Sequence, residues 1–301
     1  MTEPAPEHPR EALPLDSTAQ LLARITSQLG TQLSLVSLNG TRRPMHRTRI
    51  PGPTLVAVAH GSRDPQALRT ALELLDRVRE LRPGLGVRLG HIELDEPLLP
   101  DTLAGIGRGE AVVLVPLLLG RGHHVRHDLP RAAAASGLRT RVAAPLGPHP
   151  LIVETLYERL VEAGWRDGDG TSRSAGVVLA AAGSRDPDSG VDARRTAAML
   201  STRLGGVPVV PAYASAATPT VPAAVRALAA RGRHRVALAS YFTAPGRFAT
   251  ASAAAAPGIA AAPLGSHPAM ARLLLHRYDQ ALTAAAPALD ALAHAPLLAS
   301  A

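Results

Sequence analysis

One seven-residue segment occurs twice in this 301-residue chain. Residues 59–65 read Ala-His-Gly-Ser-Arg-Asp-Pro, and residues 181–187 repeat them with the histidine replaced by alanine. Two further matches follow in the same order, a proline at 97 and 219 and the similar segments 144–150 and 262–268. Three anchors in one order indicate an internal duplication. The shared letters predict a backbone turn that both copies need, and His60 becomes a candidate for chemistry.

Each copy alternates short apolar runs with helical patterns. In the first copy the run 55–59 predicts a buried strand, and Asp64-Pro65 supplies an N-cap and a first-turn proline for a helix over 65–82. Strands are predicted at 55–59, 87–94, 111–119 and 140–144, and again at 177–181, 207–213, 235–241 and 259–262. This alternation predicts an α/β fold with two tandem, doubly wound lobes, each with a parallel four-stranded sheet flanked by helices.

Composition changes mark the expected domain boundaries. The acidic, Pro-rich start at 1–53 predicts a mostly disordered extension, and the Gly/Asp/Ser-rich segment 165–174 predicts a linker. The first lobe is then expected over 54–164, the second over 175–286, and a C-terminal tail over 287–301.

Composition also limits the chemistry. The chain has no cysteine, so histidine and carboxylate are the strong metal ligands that remain. The net charge of +8 comes wholly from arginine and favours anionic partners, but one Trp, two Phe and four Tyr leave little to stack on nucleic-acid bases. No apolar run reaches membrane-spanning length, and the N-terminus lacks the order of a signal peptide, so a cytoplasmic protein is expected.

Polar residues that differ between the copies gather at predicted strand ends. His60 follows the first strand, where open parallel sheets bind ligands, and Ala182 takes its place in the second copy. The third strand is followed by His123 and His124, where the second copy has Arg247-Phe248. Glu93 closes the second strand. A His, Glu, His set without cysteine suits a divalent first-row metal with open coordination positions.

Two other groups of polar residues are expected to have no part in metal binding. His149 and His267 stand in the same Gly-x-His-Pro context, which favours a structural role such as a helix cap. Asp95 and Glu96 are expected to be solvated acids, since carboxylates are seldom buried unpaired.

Three segments together resemble the class II tetrapyrrole metal chelatases, in particular the sirohydrochlorin chelatases. They are Ala-His-Gly-Ser-Arg at 59–63, Ile-Glu-Leu-Asp-Glu-Pro at 92–97, and 116–125 followed by Asp-Leu-Pro at 128–130. The resemblance covers about 54–285. It implies insertion of Fe²⁺ or Co²⁺ into a sirohydrochlorin-type tetrapyrrole for sirohaem or cobalamin synthesis, with two lobes facing across a cleft.

The resemblance also implies roles for individual residues. His60 and His124 become the metal-binding pair, Glu93 assists by holding metal or shuttling protons, and all three are candidate catalytic residues. Whether His123 or His124 is the ligand stays open. The second lobe, with Ala182, Ser215 and Phe248 at the three positions, is expected to serve as a wall of the cleft.

Arginines around the cleft are candidate contacts for the carboxylates of the substrate: Arg63, Arg121, Arg126 and Arg247. No phosphate-cradling loop is present, so no cofactor is expected beyond the divalent metal substrate. The expected partners are the tetrapyrrole and the metal ion, with no nucleic acid and no membrane, in a two-lobed monomer or a homodimer.

Two rival functions remain. A non-catalytic metal or tetrapyrrole carrier would use the same binding residues as an enzyme. A histidine phosphatase also uses a strand-end histidine beside arginines, but it places arginine directly before His-Gly, where this chain has Ala59.

Overall fold

The computed structural model describes residues 52–284, and the predictions for 1–51 and 285–301 lie outside this range. Parallel strands alternate with helices along these residues, and the predicted α/β fold with two tandem lobes is confirmed. No helix in this part of the chain is long and apolar enough to cross a membrane.

The first lobe is a four-stranded parallel sheet in the order β2-β1-β3-β4. Its elements are β1 (Thr54–Ala59), α1 (Pro65–Leu81), β2 (Val87–His91), α2 (Leu99–Ala104), β3 (Ala111–Pro116), a π-helical turn (His124–Asp128), α3 (Leu129–Ala135), β4 (Arg139–Val142) and α4 (Pro150–Glu162). Helix α1 starts as its sequence predicts, because the Asp64 side chain accepts a hydrogen bond from the Gln66 amide and Pro65 occupies the first turn.

The second lobe has three hydrogen-bonded strands in the order β6-β5-β7. After a short helix in the predicted linker, α5 (Asp167–Thr171), it runs β5 (Ala175–Ala181), α6 (Pro187–Arg203), β6 (Val209–Tyr213), α7 (Val221–Ala229), β7 (Arg235–Tyr241), α8 (Arg247–Ala254) and α9 (Pro268–Thr283). The fourth strand predicted at 259–262 is wrong, since this segment forms a single bridge between Leu238 and Ala260. It is Ala-rich and lies between Pro257 and Pro263, which disfavours an extended ladder.

The duplication extends to single backbone hydrogen bonds. The Glu93 amide donates to the His60 carbonyl at 3.0 Å, and the matching Ser215 amide donates to the Ala182 carbonyl at 2.9 Å. Gly61 and Gly183 have φ of 99° and 91°. Each glycine lies so close to the carbonyl oxygen of that partner residue that a Cβ would overlap it. The repeated Gly-Ser-Arg-Asp-Pro letters therefore encode one turn, built twice.

The two lobes exchange their last helices. Helix α4 follows the first sheet in sequence but packs against α6 and β7 of the second lobe. Helix α9 ends the second lobe in sequence but packs against α1 and β3 of the first. A lobe in sequence is thus not a separate compact unit in space, and one buried apolar cluster contains residues from both lobes.

Matching arginines fasten the exchanged helices. Arg159 on α4 donates to the Leu264 carbonyl at 3.2 Å, and Arg277 on α9 donates to the Leu146 carbonyl at 2.9 Å. Burial lowers the pKa of Arg277. The exchange is therefore symmetric, although the residues in the cleft are not.

Candidate active site

A cleft of about 1600 Å³ lies between the two lobes. The turns after β1, β3, β5 and β7 line it, so it opens at the carboxyl ends of both sheets. Its volume exceeds the about 300–1,000 Å³ of a typical small-molecule pocket, which leaves room for a large ligand.

His60 lies in the turn after β1 and faces Glu93. The His60 Nε2 atom is 3.4 Å from Glu93 Oε1, and both side chains are about half exposed, at 43% and 54%. The His60 Nδ1 atom is 3.3 Å from the Gly61 carbonyl oxygen. A proton on Nδ1 leaves the Nε2 lone pair facing a carboxylate oxygen, and two such acceptors are held together best by a proton or a cation between them.

Glu93 lies beyond the end of its strand. Strand β2 ends at His91 rather than at Leu94 as predicted, because the His91 amide bonds back to the Pro97 carbonyl and closes a loop. Inside this loop, the Asp95 carboxylate accepts a hydrogen bond from the Ser62 amide at 2.9 Å. Asp95 thus ties the loop of Glu93 to the turn of His60, which is a more specific role than the predicted solvated acid.

His124 opens the π-helical turn and meets His60. The two ring centroids are 4.9 Å apart in an edge-to-face arrangement. The His124 Nδ1 atom is 2.7 Å from Asp128 Oδ2. Since an ionised carboxylate can only accept, Nδ1 carries the proton, and the Nε2 lone pair is free for a metal or a proton.

The Asp128 carboxylate is a functional candidate that the sequence analysis missed. Its hydrogen bond with His124 lowers the pKa of Asp128 below its usual value, and Arg131 donates to its other oxygen at 3.1 Å. The i, i+4 spacing of His124 and Asp128 was the available signal. Its meaning depended on residues 124–128 being helical, since residues four apart are neighbours on a helical turn.

The predicted ligands thus meet as adjoining pairs, His60 with Glu93 and His60 with His124. Among residues 52–284, no group of three or more His, Cys, Asp or Glu side chains is arranged to hold a metal ion. The three-residue metal set stays a prediction.

The second lobe presents different groups at the matching positions. Ala182 occupies the place of His60, and the Ser215 hydroxyl donates to the Ala182 carbonyl at 3.0 Å. Phe248 takes the position that aligns with the histidines of the first lobe, and the Arg247 guanidinium lies 5.0 Å from its ring centroid. None of these three side chains is a metal ligand of the usual kind.

Two of the four predicted carboxylate-binding arginines already have acidic partners in the second lobe. Arg121 bonds through its backbone amide and its guanidinium to the nearly buried Asp192, at 2.8–3.1 Å. Arg126 pairs with Asp188 and, at 3.4 Å, with Asp186. A substrate carboxylate would have to compete with these ion pairs.

The other two predicted arginines are more available. Arg63 and Arg247 are exposed, both line the cleft, and neither forms an ion pair with any residue in 52–284. They are therefore the better placed of the four for a carboxylate ligand.

The structural role predicted for the Gly-x-His-Pro histidines is confirmed. His149 caps α4 by accepting from the Leu151 amide at 3.1 Å, and His267 caps α9 by accepting from the Ala269 amide at 3.2 Å. Burial, helped by the nearby charges of Arg277 and His276, lowers the pKa of His149 from 6.5 to about 4.

Comparisons with known proteins agree with this architecture. Sirohydrochlorin ferrochelatase of Bacillus subtilis is 27% identical over 172 residues, which cover 55% of this chain and 64% of that protein. Sirohydrochlorin cobaltochelatase of Methanosarcina barkeri is 28% identical over 123 residues, or 36% of this chain and 95% of that protein. The solved structure of SirB from Bacillus subtilis with Fe³⁺ shares the fold, with a TM-score of 0.62 at 23% identity over 77% of this chain and 96% of that one.

The protein-family model for CbiX matches this chain twice, over residues 54–163 and 176–281. The two matches coincide with the two copies of the repeat and together cover more than half of the chain. The resemblance to the class II chelatases is confirmed, and the chain belongs to the CbiX family.

Proposed function

We propose that this protein inserts a divalent metal, Fe²⁺ or Co²⁺, into a sirohydrochlorin-type tetrapyrrole, as a step in sirohaem or cobalamin synthesis. One observation carries the proposal: His60 contacts both Glu93 and His124, and the two histidines line the cleft. The relatives described above include a ferrochelatase and a cobaltochelatase, and the choice of metal follows supply as much as ligand type.

Insertion requires two changes at the centre of the tetrapyrrole. The metal exchanges bound water for pyrrole nitrogens, and two N–H protons leave. With its Nδ1 hydrogen-bonded to Asp128, His124 presents Nε2 to the incoming ion. His60 joins His124 in holding the ion, and the Glu93 carboxylate, 3.4 Å from His60 Nε2, accepts protons and passes them to water.

The second lobe completes the binding site without a second set of ligands. It closes the cleft with Ala182, Ser215 and Phe248, while Arg247 of this lobe and Arg63 of the first both line the cleft as candidate contacts for substrate carboxylates. Both walls come from one chain, so a monomer suffices for the reaction, and no cofactor other than the metal substrate is proposed.

The test measures turnover with the full-length chain. Metal-free sirohydrochlorin is mixed with Co²⁺, or with Fe²⁺ under anaerobic conditions, and absorbance follows insertion. We expect insertion faster than without protein, and a fall of at least about 100-fold in His60→Ala. His60→Ala is expected to stay folded, because Ala182 already occupies the same turn in the other lobe.

The matched control is His234→Ala, which removes an exposed histidine of the second lobe that does not line the cleft. Insertion by this variant is expected at the rate of the unmodified chain. If the unmodified protein binds tetrapyrrole but inserts metal no faster than buffer does, it is a carrier and the enzyme proposal fails.

A further inference from the structure

Two more histidines lie on the same turn and have no assigned role. His123 and His127 both line the cleft, with ring centroids 4.7 Å apart and a tilt of 41°. Both side chains are exposed. Neither has a hydrogen-bond or ion-pair partner within residues 52–284, so their ring nitrogens are free to take a ligand.

His123 and His127 lie four residues apart on helical backbone, which explains why their rings meet. The π-helical turn closes with a bond from the Leu129 amide to the His124 carbonyl, five residues apart. Residues four apart are neighbours on the surface of a helical turn, as His124 and Asp128 are here. The same local geometry therefore builds two side-chain pairs, one of them purely imidazole.

The spacing of the imidazole pair fits a shared metal ion. A divalent first-row metal lies about 2.1 Å from an imidazole nitrogen, so two rings at neighbouring coordination positions have centroids about 5 Å apart. The observed 4.7 Å matches this value. Two histidines four residues apart on one turn are also a recurrent metal-binding arrangement.

Short distances between neighbouring rings connect the pair to the candidate active site. Successive centroid distances are 4.7 Å from His127 to His123, 6.2 Å from His123 to His124, and 4.9 Å from His124 to His60. His127 and His123 are exposed, and His124 and His60 are partly buried. The counterpart turn of the second lobe, at Arg247-Phe248, has no histidine.

We propose that His123 and His127 form a second metal site at the rim of the cleft, which takes up a divalent first-row ion and supplies it to His60 and His124. The site itself needs only the two imidazoles and water. The supply role rests on the proposed chelatase function.

The experiment first counts metal ions without tetrapyrrole. Equilibrium dialysis against Co²⁺ is carried out on the full-length chain, on His123→Ala/His127→Ala, on His60→Ala/His124→Ala, and on the control His234→Ala. We expect each double variant to lose one bound Co²⁺ per chain and the control to lose none. An unchanged Co²⁺ count in His123→Ala/His127→Ala overturns the site.

The second measurement tests supply. In the insertion assay, His123→Ala/His127→Ala is expected to need roughly tenfold more Co²⁺ for half-maximal rate, and excess Co²⁺ should restore insertion. An unchanged Co²⁺ requirement overturns the supply role. If the unmodified protein inserts no metal at all while the Co²⁺ count still falls by one, the rim site stands and the chelatase proposal fails.

Discussion

The glycine of the repeated turn offers a sharp test of why the two copies share their letters. Gly183 has φ of 91°, and a Cβ at this position would overlap the Ser215 carbonyl oxygen and lie 3.2 Å from the Tyr213 Cβ. The neighbouring backbone cannot move aside freely. The Ser215 and Ala214 amides donate to the Ala182 and Ala181 carbonyls, both at 2.9 Å.

The cost of Gly183→Ala has two parts. A left-handed backbone costs about 1–2 kcal/mol for a residue with a Cβ, and displacement of a packed neighbour costs about 1–3 kcal/mol more. We expect the free energy of unfolding to fall by about 2–5 kcal/mol. Gly84→Ala is the matched control, because Gly84 has φ of 84° with nothing within 4 Å of an added Cβ. It should cost only the first part.

Urea unfolding followed by circular dichroism gives the free energy of unfolding of both variants. Gly61→Ala should behave like Gly183→Ala, since its added Cβ would overlap the Glu93 carbonyl oxygen. If Gly183→Ala destabilises the protein no more than Gly84→Ala does, the close approach is not what requires glycine, and the explanation of the repeat is wrong.

Two further predictions concern histidines. The pKa of His149 is about 4 when folded and about 6.5 when unfolded, so on acidification the unfolded chain binds the extra proton first. The free energy of unfolding should therefore fall as pH drops from about 6.5 to about 4. The expected fall is about 1–2 kcal/mol after allowance for solvent at this partly buried site. His149→Asn keeps a capping side chain and should remove that part of the pH dependence in urea unfolding, and equal pH slopes would contradict it. Asp128→Asn should lower the insertion rate about tenfold with unchanged circular dichroism, because the Nδ1 proton of His124 loses its charged acceptor; an unchanged rate would show that Asp128 does not position His124.

The parts of the structure that local chemistry decides could be predicted from the sequence. The strand-turn-helix unit at 55–81 follows from an apolar run, a glycine and an Asp-Pro cap, and the structure has each feature. The proximity of His60, Glu93 and His124 follows from parallel topology, since parallel strands end at one edge of the sheet. The capping histidines, His149 and His267, follow from their shared context.

The missed features depend on distant contacts or on a change of helix type. Nothing in residues 150–162 indicates that α4 packs against the second sheet, because an amphipathic face specifies an apolar partner and not which one. The role of Asp128 depends on residues 124–128 being helical, and no residue pattern indicates that this segment forms a π-helical turn. The ion pairs of Arg121 and Arg126 join residues more than 60 positions apart.

These ion pairs give the second lobe a part in the site that its own residues do not suggest. Arg121 precedes the histidine turn and Arg126 lies within it, and both are bound by acids on α6 of the second lobe. The second lobe, which has no candidate metal ligands at the matching positions, thus holds the turn of the first lobe that carries His124. Because the last helices are also exchanged, α9 of the second lobe packs against β3 of the first. The candidate catalytic residues belong to one lobe, but the structure that positions them is built from both copies of the repeat.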